Sequence, residues 1–179
     1  MMIIDLPGGR QTFDFDCGAT ALQLVMAYFG VEVRMDELYS RLLINSNGTL
    51  IKNIIFVAEE YGFDVIEKYD TGIDEIKRFI DTSHPVIVLV QAWAEKYMTL
   101  EEWHEDYDDG HYVIVVGYYE NKIVFEDPSS FRKTWLTEEE FLIRWHDKDP
   151  ETDNIINQFA LILTGRKPEP AHKLMEHME

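Results

Sequence analysis

At 179 residues and 46% apolar content, the chain is long enough to close one full hydrophobic core and too short for two. Acidic residues outnumber basic ones 34 to 16, and the resulting formal charge of −18 repels a phosphate backbone, which argues against a nucleic-acid partner. A single cysteine leaves no intramolecular disulfide, and no apolar run approaches the roughly 18 residues of a membrane span, so the expectation is a cytoplasmic protein with no integral membrane segment.

Met1 to Leu6 is short, carries Asp5 and has no basic leader, unlike a signal peptide. Leu6-Pro7-Gly8-Gly9-Arg10 is a turn-rich lead-in to Gln11. The stretch from Cys17 to Gly30 then predicts a buried helix: small residues at Gly18, Ala19 and Ala21, a dense apolar face from Leu22 to Phe29, and a glycine stop. Cys17 falls in its first turn, where unpartnered N–H groups and the peptide dipoles favour a thiolate. Gln11, six positions upstream, could return its carboxamide to the sulfur and donate to a developing oxyanion. The alternative for Cys17 is a small buried hydrophobe.

Met35 to Leu43 predicts a short amphipathic helix, and Leu50 to Tyr61 a third helix capped by Thr49. Phe63 to Ile66 reads as extended and Ile73 to Ile80 as a small helix with Asp74 and Glu75 at its positive end. Pro85 to Val90 is apolar throughout, the pattern of a strand buried on both faces. The connection from Ala92 to Gly110 is too long for an ordinary loop and carries four aromatic residues, as a lid or a partly helical insertion would. Its His104 to Gly110 portion reads as a solvated acidic loop without the ligand spacing of a calcium or zinc site, so no metal and no cofactor are expected.

His111 to Tyr119, a turn at Glu120 to Lys122, and Ile123 to Phe125 predict a hairpin. His111 and Asp127 should therefore lie at the same end of the sheet. Thr137 with Glu140 forms a capping box for a helix reaching Trp145, with His146 at its negative end. Phe159 to Leu163 is the last expected strand. Helices first and strands later indicate an α+β fold with an antiparallel sheet, in one domain over residues 1–165, followed by a polar, flexible tail at 166–179.

Gln11, then Asp16-Cys17-Gly18 leading into Ala-Leu-x-x-Val-x-x-Tyr-Phe-Gly, is similar to the nucleophile segment of the double-glycine leader (bacteriocin-processing) cysteine peptidases, a papain-like family. Gly110-His111-Tyr-Val-Ile-Val-Val-Gly and Phe125-Glu-Asp127-Pro-Ser resemble that family's histidine and aspartate segments, in its order. The resemblance implies Cys17 as nucleophile, His111 as general base and acid, Asp127 as its orienting partner and Gln11 as the oxyanion-hole side chain. It also implies a peptide or protein substrate cut through a thioester and admits a separate exporter as partner. Two other activities fit the same residues: a γ-glutamyl or acyl transferase using this triad, and a peptide-binding module without turnover. Gly8-Gly9 matches the dipeptide such enzymes cut after, but is expected here to serve a sharp turn rather than self-processing.

Overall fold

The computed structural model describes residues 2–46 and 48–169, and in it the helices precede most of the sheet. After a two-residue strand β1 (Met2–Ile3) come helices α1 (Cys17–Tyr28), α2 (Met35–Leu42) and α3 (Ile51–Glu60). Strand β2 (Asp64–Lys68), helix α4 (Ile73–Asp81) and strand β3 (Val86–Gln91) follow. Apart from β1, which the sequence does not announce, each agrees with the sequence reading to within two residues.

The sheet is antiparallel in the order β2, β9 (Ala160–Thr164), β3, β4 (Gly110–Tyr119), β5 (Lys122–Glu126), β6 (Thr134–Thr137), with β1 pairing the end of β4 at Gly117 and Tyr118. Its centre is β4, whose residues 110–115 pair with β3 and whose later residues pair with β5. The last strand, β9, lies between β2 and β3. All six residues of β3 are buried, as the unbroken apolar run requires when helices cover both faces. Helix α1 lies against β4, and nine of its residues are buried. Each large apolar side chain so enclosed stabilises the fold by about 1.5–3 kcal/mol, so the helix that begins at Cys17 is among the best-anchored parts of the chain.

Several expectations need correction. Thr49 does not cap α3: Leu50 is the N-cap, and the Thr49 hydroxyl is buried without a hydrogen-bond partner, close to Gly18. The 92–110 connection is partly helical, one of the two alternatives expected for it: it contains α5 (Leu100–Glu105), with its own capping box of Thr99 and Glu102. It packs on α6 (Glu138–Arg144), which the Thr137–Glu140 box starts as expected; the Arg144 guanidinium stacks 4.0 Å over the Trp103 ring. His146 does not end that helix. It opens a short strand pair, β7 (His146–Lys148) with β8 (Ile155–Asn157), and its Nε2 lies 2.8 Å from the Asp106 carbonyl. A further strand, β6 (Thr134–Thr137), pairs with β5.

Gly9 has a packing reason to be glycine, since a Cβ there would come within 2.6 Å of Leu24 Cδ2. Of the expected tail, residues 170–179, including His172 and His177, lie outside the described residues. Its beginning is tied to the body: Arg166 Nη2 donates to the Tyr61 carbonyl at 2.9 Å, and the Glu169 N–H donates to the Tyr28 carbonyl at 2.9 Å.

Candidate active site

Cys17 is the first residue of α1 and is nearly buried. Asp16, the N-cap, makes no side-chain bond to the helix. Its fully buried carboxylate turns backward instead, accepting the Thr12 N–H at 3.0 Å, the Phe13 N–H at 3.2 Å and the Tyr39 hydroxyl. The loop before the cysteine is thereby fixed, while no carboxylate competes for the positive end of the helix that carries the sulfur.

His111 lies in the second position of β4, paired in register with Val90 of β3, and its ring is buried. Asp127 follows β5 on the neighbouring strand, so the hairpin brings the two side chains together: His111 Nε2 stands 2.8 Å from Asp127 Oδ1. The Cys17 side chain is a second polar neighbour of the ring, near enough to add to the upward pull on its pKa. With Nε2 committed to Asp127, Nδ1 is the nitrogen left for the sulfur.

Burial alone would favour neutral imidazole, but the hydrogen bond of Asp127 and the charges of Asp127 and Cys17 outweigh it and raise the pKa of His111 from 6.5 to about 9. Asp127 moves the opposite way. Burial opposes its ionisation, yet the His111 hydrogen bond and charge, the Ser129 N–H and the Trp93 indole hold it below the usual carboxylate range. The two shifts agree in describing an imidazolium matched to a carboxylate.

The N-terminal lead-in is laced to the turn that carries Asp127. Arg10 Nη1 pairs with the largely buried Glu126 Oε1 at 2.7 Å, and the Gln11 N–H donates to the Pro128 carbonyl at 3.0 Å. Gln11 is thus delivered close to His111. Its Oε1 accepts from Ser129 Oγ at 3.0 Å, and that same hydroxyl lies 3.3 Å from His111 Nε2. Its Nε2 donates to the Phe13 carbonyl at 2.9 Å, which leaves the second amide hydrogen uncommitted. The carboxamide lines a depression of about 210 Å³ with Phe13, Ser129 and Phe131, rather than the wall that holds the sulfur.

Cys17 faces a cleft of about 390 Å³ shared with Asp14, Gly48, Tyr107, Gly110 and Tyr112. A second pocket of about 300 Å³, walled by Trp93, Trp103, Trp135 and Arg144, reaches Asp127 from the other side. Among the described residues, no cluster of histidine, cysteine and carboxylate side chains could hold a metal ion.

The comparison that decides the family is a match of residues 7–148 to the model of the peptidase C39 family. The chain belongs to the peptidase C39 family. As a C39 cysteine peptidase domain it has the fold of three solved relatives. The peptidase domain of Streptococcus ComA, a bi-functional ABC transporter involved in a quorum-sensing pathway, superposes with a TM-score of 0.65 at 22% identity, over 90% of this chain and 98% of that one. A double-glycine-motif protease from an AMS/PCAT transporter, solved with its leader peptide, gives 0.63 at 19% identity, over 94% and 95%. A C39-like protein from Bacillus anthracis gives 0.71 at 14%, over 93% and 98%. No curated protein matches the chain significantly. Among the described residues no helix is long and apolar enough to cross a membrane.

Cys17, His111 and Asp127 therefore meet in this C39 domain, with Gln11 joined to them through Ser129. Ser129, Trp93 and Thr134, to which the sequence reading gives no role in the site, all touch Asp127 or His111. Asp127-Pro-Ser carries a local signal for the first, because a serine two residues after an aspartate commonly closes an Asx turn. Nothing local marks Trp93 or Thr134, which reach Asp127 from other elements.

Proposed function

We propose that Cys17, His111, Asp127 and Gln11 form a peptide-hydrolysing centre acting on a peptide bond, in a leader segment ending in glycine. The position of His111 between the sulfur and the carboxylate carries this reading. The Cys17 thiolate attacks the scissile carbonyl carbon, and the carbonyl π electrons move to oxygen. The Cys17 N–H and the free amide hydrogen of Gln11 are the donors for that oxyanion, the latter once the carboxamide turns out of its own depression toward the sulfur. Collapse breaks the C–N bond, and the departing amine takes its proton from imidazolium His111. His111, now neutral, removes a proton from water, which attacks the thioester and releases the acid while the thiolate re-forms. Asp127 holds the ring for both transfers.

The leader peptide bound to the PCAT protease supports this substrate class, and a separate exporter is the partner that would supply it. The free thiol suits a reducing compartment such as the cytoplasm. We place the whole activity in one domain, residues 1–165.

A panel of leader-like peptides ending in Gly-Gly, Gly-Ala and Ala-Ala, with mass analysis of the products, tests the proposal. Wild type should cut after Gly-Gly and Cys17→Ala should not. Amide products formed with an added amine would identify a transferase. Peptide binding without any product would identify a non-catalytic module.

A further inference from the structure

Asp127 is held by donors from several directions. Its Oδ1 faces His111 Nε2 at 2.8 Å and accepts the Ser129 N–H at 2.9 Å. Its Oδ2 accepts the Trp93 indole N–H at 3.1 Å and the Thr134 hydroxyl at 3.4 Å. Three of these donors belong to β4, β6 or the turn after β5. Trp93 alone comes from the 92–109 segment.

Two features mark this contact as more than a by-product of packing. The Trp93 residue is 59% exposed, so burial does not hold its ring over the carboxylate. Its backbone φ is +65°, in the left-handed region that bulky side chains avoid. Such conformations persist where the surroundings over-determine them, and they concentrate at functional sites. An indole N–H donates and cannot accept, so it fixes which carboxylate oxygen faces it. With Oδ2 engaged, Oδ1 is presented to His111.

We propose that Trp93 is a positioning residue for Asp127: its indole, delivered by the 92–109 segment, locks the carboxylate that orients His111. The segment thereby couples its own placement to the reactivity of Cys17. This inference rests on the Cys17-His111-Asp127 reading above.

Iodoacetamide is the probe, because Cys17 is the only cysteine and no substrate is needed. Its rate of reaction is followed from pH 5 to pH 10 for wild type, Trp93→Phe, Trp93→Gly and His111→Ala. Phenylalanine keeps a smaller aromatic ring and removes the donor. Glycine removes the donor while relieving the left-handed backbone. Both tryptophan variants should react about fivefold more slowly at pH 6, the scale of one hydrogen bond. They should rejoin wild type at the alkaline end, where the thiol ionises unaided, with Tm within about 2 °C.

If His111→Ala loses the reactivity at pH 6 while Trp93→Phe matches wild type, the inference on Trp93 fails alone. If His111→Ala also keeps the wild-type profile, the reading beneath it fails as well. A loss equal at every pH, or one that tracks a lowered Tm, would assign Trp93 a structural role and overturn the proposal.

Discussion

His111 makes the fold's stability depend on pH with a predictable sign. The imidazole is at 6.5 in the unfolded chain and about 9 in the folded one, so the native state binds the proton more tightly. Its contribution is whole below about pH 6.5 and is lost as the pH rises through about 9. A shift of this size corresponds to about 3 kcal/mol at 1.36 kcal/mol per pH unit. For a domain of this size, with a urea m-value of about 2 kcal/mol/M, the denaturation midpoint should fall by about 1.5 M between pH 6.5 and pH 9.5. Lysine, tyrosine and other groups also titrate in that window, so the quantity to read is the difference between wild type and His111→Gln. That difference should carry the dependence, and Cys17→Ala should shrink it, because the sulfur supplies part of the upward shift. Parallel midpoints for wild type and His111→Gln across the range would refute the reasoning.

In Asp127→Asn one oxygen can still face His111 and the Ser129 N–H, but the amide nitrogen then points its hydrogens at the Trp93 indole donor. Loss of charge and this donor conflict should lower kcat/KM by about 10²-fold or more in a leader-peptide assay. Gly18→Ala places a Cβ 3.0 Å from Thr49 Cβ and from Tyr112 Cδ2, beside the two proposed catalytic positions. Overpacking costs about 1–3 kcal/mol, partly offset by the helix propensity of alanine, so both Tm and kcat/KM should fall. Thr137→Ala removes the capping box of α6 and should cost about 1 kcal/mol, seen as a drop in Tm of about 2–4 °C with kcat unchanged.

The helix that begins at Cys17 and the hairpin that joins His111 to Asp127 were legible in the sequence because local signals agreed there. Small residues and a glycine stop bounded the first, and an apolar run with a polar turn defined the second. The capping box at Thr99 and Glu102 is the same signal as the one read at Thr137 and Glu140, so α5 was equally available and was obscured by the surrounding aromatic residues. Thr49 misled for the opposite reason: a good capping side chain was drawn into the space beside Gly18, and Leu50 took the cap position. Strands β6, β7 and β8 are three or four residues long, too short to show a period of two. The support of the site was the least legible. Trp93, Thr134 and the carboxamide of Gln11 find their partners through register and loop closure, which no local pattern encodes.

The direct measurement is the intact mass of the protein, acid-quenched during turnover of a double-glycine leader peptide. The account predicts an adduct on Cys17 equal to the N-terminal fragment less one water, absent from Cys17→Ala together with all cleavage. Cleavage that survives removal of the only thiol in the chain would contradict it.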